Sequence, residues 1–216
     1  MPRRQTPFIP GQYYHFYNRG KNRQAVFFEH DNYLYFLKCL KKYLVPHVDM
    51  LVYSLMPTHY HVLGKVREIQ TTETQTSEVL KTSAVLDGET SRQVSLAIQK
   101  FAISYTKAIN KHFSRVGALF QGQFHAKPVQ TYAHLLNLCA YIHANPVKDG
   151  LAALPEEWEY SNYPEWMNLR GGTLVNRDFI SEHFGTPTAY RQLVMDYLKS
   201  RTLPDGFRKE MEDLEG

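Results

Sequence analysis

Two apolar segments joined by a tight turn most limit how this chain can fold. Val48–Leu55 and His59–Val66 (HYHVLGKV) have the length and the β-branched and aromatic content of strands, and Met56-Pro57-Thr58 between them reverses the chain. A hairpin of this kind predicts an antiparallel sheet. Further elements can be placed around it. Tyr13–Asn18 (YYHFYN) reads as a strand. Asp31 is positioned to cap a helix reaching about Leu44, with Tyr33, Leu34, Leu37, Leu40 and Leu44 at helical spacing. A second helix is expected from Thr90 or Ser91 to about His112, burying Val94, Ile98, Phe101 and Tyr105. Gly117–Val129 reads as a strand pair or one bent strand centred on Gln121-Gly122. Thr131 caps a third helix through about Ala144, which Pro146 should stop.

Strand, helix, strand, strand, helix, strand, helix predicts an α+β domain, an antiparallel sheet with helices packed mainly on one face. The 216 residues suffice for one such domain with a core and a small appendage. Residues 67–92 are rich in Thr, Ser, Gln and Glu without clear periodicity, and read as a mobile insertion with at most a short helix near Glu78–Val85. After residue 150 an irregular stretch leads to two short helices, near Arg177–His183 and Thr188–Ser200, and an acidic tail.

The net charge of +4 hides a strong asymmetry. Residues 1–43 hold eight Lys/Arg against two Asp/Glu, and residues 93–148 hold six Lys/Arg and no acid, so each block is +6. Residues 44–92 are −2 and residues 149–216 are −6. Fifty-six residues without a carboxylate point to a polyanionic partner such as nucleic acid, although basic faces are also often just solvated. The two cysteines, Cys39 and Cys139, form neither a disulfide framework nor a CxxC site, so a reducing cytoplasm is expected. No apolar run reaches the roughly 18 residues of a membrane span.

Three groups of residues carry chemistry. In His59-Tyr60-His61 the imidazoles are two apart on a strand and share a face, which is half of a divalent-metal site; such pairs also occur on solvated strand faces. In Tyr141-Ile142-His143-Ala144-Asn145-Pro146, Tyr141 and Asn145 are one helical turn apart, and His143 points elsewhere. Pro146 would leave the Asn145 amide at the helix end, where its oxygen could complete a His-His-oxygen triad. The Tyr141 hydroxyl, one turn back, could then attack a phosphate. Most of the fifteen tyrosines must instead serve packing. Finally, Leu119–Val129 (LFQGQFHAKPV) interleaves aromatics with Gln, His and Lys, which suits base stacking and phosphate contact as well as an ordinary hairpin.

Taken in order, residues 13–27 (YYHFYNRGKNRQAVF), 51–63 (LVYSLMPTHYHVL), 117–124 (GALFQGQF), 141–151 (YIHANPVKDGL) and 155–163 (PEEWEYSNY) resemble the single-tyrosine transposases of the HUH endonuclease superfamily, above all the REP-associated tyrosine transposases. The resemblance spans roughly residues 10–165. It implies a ferredoxin-like fold and a catalytic domain over 1–165 carrying the 67–92 insertion, with 166–216 as a helical C-terminal extension. It also implies metal-dependent cleavage of single-stranded DNA near a hairpin, giving a 5′-phosphotyrosine intermediate and a free 3′-hydroxyl; a second 3′-hydroxyl then rejoins the strand without ATP. Tyr141 matches the nucleophile. His59, His61 and Asn145 match the ligands of Mg²⁺ or Mn²⁺. Arg3, Arg4, Arg19, Lys21, Arg23 and Lys127 are the expected phosphate contacts. The expected partner is single-stranded or hairpin DNA in the cytoplasm, at the nucleoid, with no membrane; a homodimer is left open. A non-catalytic nucleic-acid-binding protein on the same fold, such as a domesticated transposase relative, is the alternative, and a relaxase or replication initiator of the superfamily is a third reading. The 67–92 insertion departs from the family, many of whose members have a shorter connection there.

Overall fold

A computed structural model of the chain describes residues 7–68 and 83–200, the side chains of the second stretch from residue 88 on. The expected arm around Arg3 and Arg4, most of the 67–92 insertion and the acidic tail lie outside the described residues. The elements are β1 (Tyr13–Arg19), α1 (His30–Tyr43), β2 (Val48–Met56), β3 (His59–Val66), α2 (Ser83–His112), β4 (His125–Pro128), α3 (Tyr132–Lys148), α4 (Tyr163–Trp166), α5 (Arg177–Phe184) and α6 (Pro187–Ser200). Four strands form one sheet in the order β2-β3-β1-β4, and β1 pairs antiparallel with both β3 and β4. With its β1-α1-β2-β3-α2-β4 connectivity this is the split βαβ arrangement of ferredoxin-like domains, an α+β fold as expected. No helix among the described residues is long and apolar enough to cross a membrane.

By their contacts the residues form two compact units, the first ending at Pro128 but leaving out Leu51–Ser54, the second comprising Leu51–Ser54 and everything from Val129. In the first unit, α1 and α2 pack on one face of the sheet through aromatic rings. Phe36 meets Tyr60 at 4.8 Å, Phe101 at 4.8 Å and Tyr105 at 5.0 Å between centroids. Phe16, Tyr60, Val62, Phe101 and Tyr105 are all buried. Burying these rings is the main source of stability, on the order of 1.5–3 kcal/mol per large side chain. The stripe on α1 is Tyr33, Phe36 and Leu40. Leu34, read from sequence as part of it, is 49% exposed. Phe36 faces the sheet in its stead, while Leu40 and Leu44 of the expected series are buried.

Three boundaries differ from the sequence reading, each for a physical reason. α1 is capped by Glu29, in a reciprocal box with Asn32, and Asp31 sits inside its first turn. α2 does not start at Thr90 or Ser91 but runs on from Ser83. There the Ser91 hydroxyl accepts from the Phe8 backbone N–H instead of capping a helix, and Glu89 pairs with Arg92 inside the helix. α3 is capped by Thr131 as expected, its hydroxyl accepting from His134 N–H at 3.1 Å, but it does not stop before Pro146. The proline removes one donor to the Ile142 carbonyl, a loss the helix tolerates. The turn ends at Lys148, with Asp149 N–H donating to the Asn145 carbonyl at 2.9 Å and Gly150 at φ 70°. Gly117–Val129 is not a strand pair: only four residues form β4, and Gly20 and Phe120 make an isolated bridge.

In the second unit, α3 and α6 pack together, and Trp166 of α4 lies on Tyr190 of α6 with ring centroids at 4.4 Å. The Asn162 side chain holds the Leu51–Ser54 stretch. Its amide donates to the Leu51 carbonyl at 2.8 Å and its oxygen accepts from Tyr53 N–H at 2.7 Å. Ser54 and Ser161 add a bridge.

Candidate active site

The residues expected to do chemistry divide between the two units, and each half is built by one element. The first half is β3. Its alternation sends Tyr60 to the helix face, where Phe36, Phe101 and Phe120 surround it, and burial drives its hydroxyl pKa far up. That placement reserves Tyr60 for packing. His59 and His61 lie on the opposite face, with ring centroids 5.2 Å apart and nearly perpendicular. On that face Arg19 stands opposite His59, and Tyr17 stands opposite His61. Tyr17 in turn faces His125 of β4, their rings stacked at 4.9 Å, and Lys127 faces His15. His61 is 1% exposed, so this is no solvated strand face.

Each histidine is held at Nδ1. The Thr58 hydroxyl lies 3.0 Å from His59 Nδ1, and His15 Nε2 lies 2.9 Å from His61 Nδ1. A metal-binding imidazole is normally oriented by such a contact to its second nitrogen. The pair therefore fits a divalent cation bound through the two Nε2 atoms. Among the described residues, no cluster of three or more His, Cys, Asp or Glu is arranged for a metal; a His-His-Asn set draws its third donor from outside those residue types.

The basic loop after β1 borders this half. Lys21, Asn22 and Arg23 form an exposed turn, with Asn22 at φ 55° and Arg23 at φ 58°. A side chain at Gly20 would place its Cβ 1.9 Å from the Gln24 carbonyl oxygen, so only glycine closes this turn. Gly20 N–H donates to Thr58 O at 2.8 Å, and Lys21 N–H to Leu119 O at 2.9 Å. Arg19 Nε donates to Gln121 Oε1 at 3.0 Å. Arg19, Lys21 and Arg23 thus stand at the His59 end of β3, while Lys127 lies on β4 across the same face. Arg3 and Arg4 lie outside the described residues.

The second half is α3. Tyr141 and Asn145 share one helix face and are 1% and 2% exposed. The Lys148 ammonium, seven residues on and so on the same face, lies 4.8 Å from the Tyr141 ring centroid, and Tyr197 packs on it edge-on at 6.3 Å. Asn145 is inside the helix rather than at its end, which corrects the reading of Pro146 as a stop. Its Nδ2 is buried without a hydrogen-bond partner. Oxygen and nitrogen of an amide are exchanged by a half-turn of the side chain, so the same position can present an oxygen to a cation. His143 points the other way, as expected. Its Nδ1 lies 2.7 Å from the Tyr190 hydroxyl and its Nε2 2.9 Å from Asn162 Oδ1.

Burial pushes the His143 pKa down to about 3, against a smaller opposing contribution from Asn162. The unfolded chain protonates this ring near the ordinary value of about 6.5, so protons favour the unfolded state between the two values. The contribution of neutral His143 is complete above pH about 6.5 and is lost as pH falls toward 3, by about 1.4 kcal/mol per pH unit. Urea unfolding at pH 7 and pH 5 should show this loss, and His143→Gln should flatten the difference. An unchanged pH difference in the variant would refute the assignment.

Sequence reasoning did not single out His15, Thr58, His125 or Lys148. Lys148 was accessible from its seven-residue spacing to Tyr141. The other three depend on strand register and the path of the turn.

Neither a family model nor a curated relative matches this chain. Among solved structures it is similar to a REP-associated tyrosine transposase bound to a REP hairpin, with a TM-score of 0.51 and 14% identity over 82% of this chain and 94% of the other. The two share a fold. A bacterial tRNA(His) guanylyltransferase (Thg1)-like protein in complex with GTP matches with a TM-score of 0.44 and 10% identity over 68% of each chain.

Proposed function

We propose that this protein cleaves and rejoins single-stranded DNA beside a hairpin, with Tyr141 as nucleophile. The observation that carries the reading is the pair His59 and His61 on one strand face, each held at Nδ1. Tyr141 and Asn145 one turn apart on α3, and a fold shared with a transposase that was solved on a DNA hairpin, support it.

In the proposed reaction the Tyr141 oxygen attacks the scissile phosphorus. The Tyr–O–P bond forms as the bond to the 3′ oxygen breaks, the phenol proton is lost, and the departing strand ends as a 3′-hydroxyl. Attack by another 3′-hydroxyl reverses these bonds and restores the phenol. His59 and His61, with the Asn145 amide, would hold Mg²⁺ or Mn²⁺. Bound there, the cation would supply neutralisation of charge on the phosphate oxygens. Lys148 adds positive charge beside Tyr141, and Arg19, Lys21, Arg23 and Lys127, with Arg3 and Arg4, would contact the DNA backbone.

End-labelled DNA tests this directly. With hairpins from the region flanking the coding sequence and Mn²⁺ present, a 3′ label should become covalently attached to protein. A 5′ label should appear on a shortened free strand. If neither label moves while the hairpin still binds, the protein is a non-catalytic DNA-binding module. Replacing Arg19, Lys21 and Arg23 together by Gln should weaken hairpin binding and lower the log–log salt slope by about two, if each contacts one phosphate of a single strand. A filter-binding titration over a range of salt measures it; an unchanged slope removes this loop from the interface.

A further inference from the structure

His15 has no place in the reaction above, yet it is fully buried on the histidine face of the sheet. It stands opposite Leu63 on β3 and so reaches His61 diagonally across the strands. Its ring lies 5.1 Å from that of His61, nearly parallel at 21°, and Tyr17 packs against it at 4.8 Å. His15 Nε2 and His61 Nδ1 are 2.9 Å apart.

Two neutral imidazoles that face each other through one nitrogen apiece share a single proton. If the proton is on His61 Nδ1, that ring donates to His15 and its Nε2 keeps a lone pair. If the proton is on His15 Nε2, His61 accepts at Nδ1 and must carry its own proton on Nε2, where it cannot bind a metal. The partner of Nδ1 therefore decides whether His61 is a ligand.

We infer that His15 is a positioning residue that holds His61 in the Nδ1–H tautomer and turns its Nε2 into a metal donor. This rests on the metal site proposed above. Thr58 does the corresponding work for His59, with one difference. A hydroxyl can rotate to donate or accept, whereas His15, packed between Tyr17 and His61, accepts at Nε2 only when its own proton is on Nδ1. The tautomer of the pair thus depends on a buried residue of β1, a strand that contributes no ligand of its own.

The test uses His15→Phe, which keeps a ring of similar bulk but cannot accept a hydrogen bond, and His15→Gln, whose amide oxygen can. Mn²⁺ binding followed by electron paramagnetic resonance should weaken by about 10–100-fold in His15→Phe and recover to within about threefold of wild type in His15→Gln. Nitrogen-15 spectra of the metal-free wild type should show His61 protonated at Nδ1, and His15→Phe should admit the Nε2–H form. This second measurement needs neither metal nor activity, and it stands even if His15→Phe does not fold. A wild-type His61 protonated at Nε2 would overturn the inference. So would unaltered Mn²⁺ affinity in His15→Phe when His61→Ala abolishes binding, and the metal site would then remain. Absence of Mn²⁺ binding by the wild type would instead overturn the metal site itself, and this inference with it.

Discussion

Tyr141→Phe eliminates the covalent protein–DNA adduct, while hairpin binding stays within about twofold of wild type. The substitution removes one oxygen and keeps the ring, and with it the Lys148 contact at 4.8 Å and the Tyr197 edge contact. Strand cleavage should fall by about 10³-fold or more, since Tyr132, the other tyrosine of α3, lies more than two turns away from Tyr141 and Asn145. A denaturing gel of labelled hairpin DNA with Mn²⁺ reads the adduct, and a thermal melt verifies the fold. Four of the buried tyrosines make poor substitutes. Tyr53, Tyr60, Tyr105 and Tyr190 all have hydroxyl pKa values raised by burial, which makes each a poorer source of phenolate. An adduct at wild-type level in Tyr141→Phe would place the nucleophile elsewhere and undo the assignment.

The second large effect is expected at the histidine pair. His59→Ala and His61→Ala should each reduce metal-dependent cleavage by about 10²–10⁴-fold, the rate equivalent of several kcal/mol of lost charge stabilisation. The two variants should differ in stability. His59 is only partly buried, whereas His61 is 1% exposed and bonded to His15, so its removal leaves a cavity and a polar nitrogen without its partner. Cleavage assays with Mn²⁺ and with EDTA, alongside melting temperatures, separate the two consequences. Equal cleavage in EDTA would eliminate the metal site, whatever the variants did.

Much of this layout was readable in the sequence where short-range chemistry decides. The hairpin around Pro57 and Thr58 follows from turn residues between two apolar runs, and β3 begins and ends at the expected His59 and Val66. Thr131 caps α3 because its hydroxyl reaches His134 N–H. The separation of His143 from Tyr141 follows from 3.6-residue periodicity. The misreadings arose where local preference yields to packing. Pro146 is a strong local stop, but it sits in a helix with its own face buried, so one missing hydrogen bond did not end α3. Thr90 and Ser91 look like caps, but a cap residue acts as one only where the preceding backbone leaves the helix. Leu34 has the right spacing for the core and lost its place to Phe36. The His15–His61 contact could not be read at all, because it depends on which residue of β1 lies opposite which residue of β3, and a shift of one residue would send His15 to the other face.

The hold of Asn162 on Leu51 and Tyr53 governs how the protein can be taken apart. The second unit is discontinuous: four residues of β2 belong to it, made more than a hundred residues before Asn162. No contiguous fragment can reproduce it. A fragment beginning at Val129 would leave Asn162 and the Trp166 indole, which also donates to the Leu51 carbonyl, with buried hydrogen-bonding groups unmet. A fragment ending at Pro128 would expose an unpaired length of β2 at the outer position of the sheet, a surface prone to pairing with other chains. Limited proteolysis after Pro128 should therefore yield two pieces that stay associated until denatured, and separate expression of either should yield aggregates.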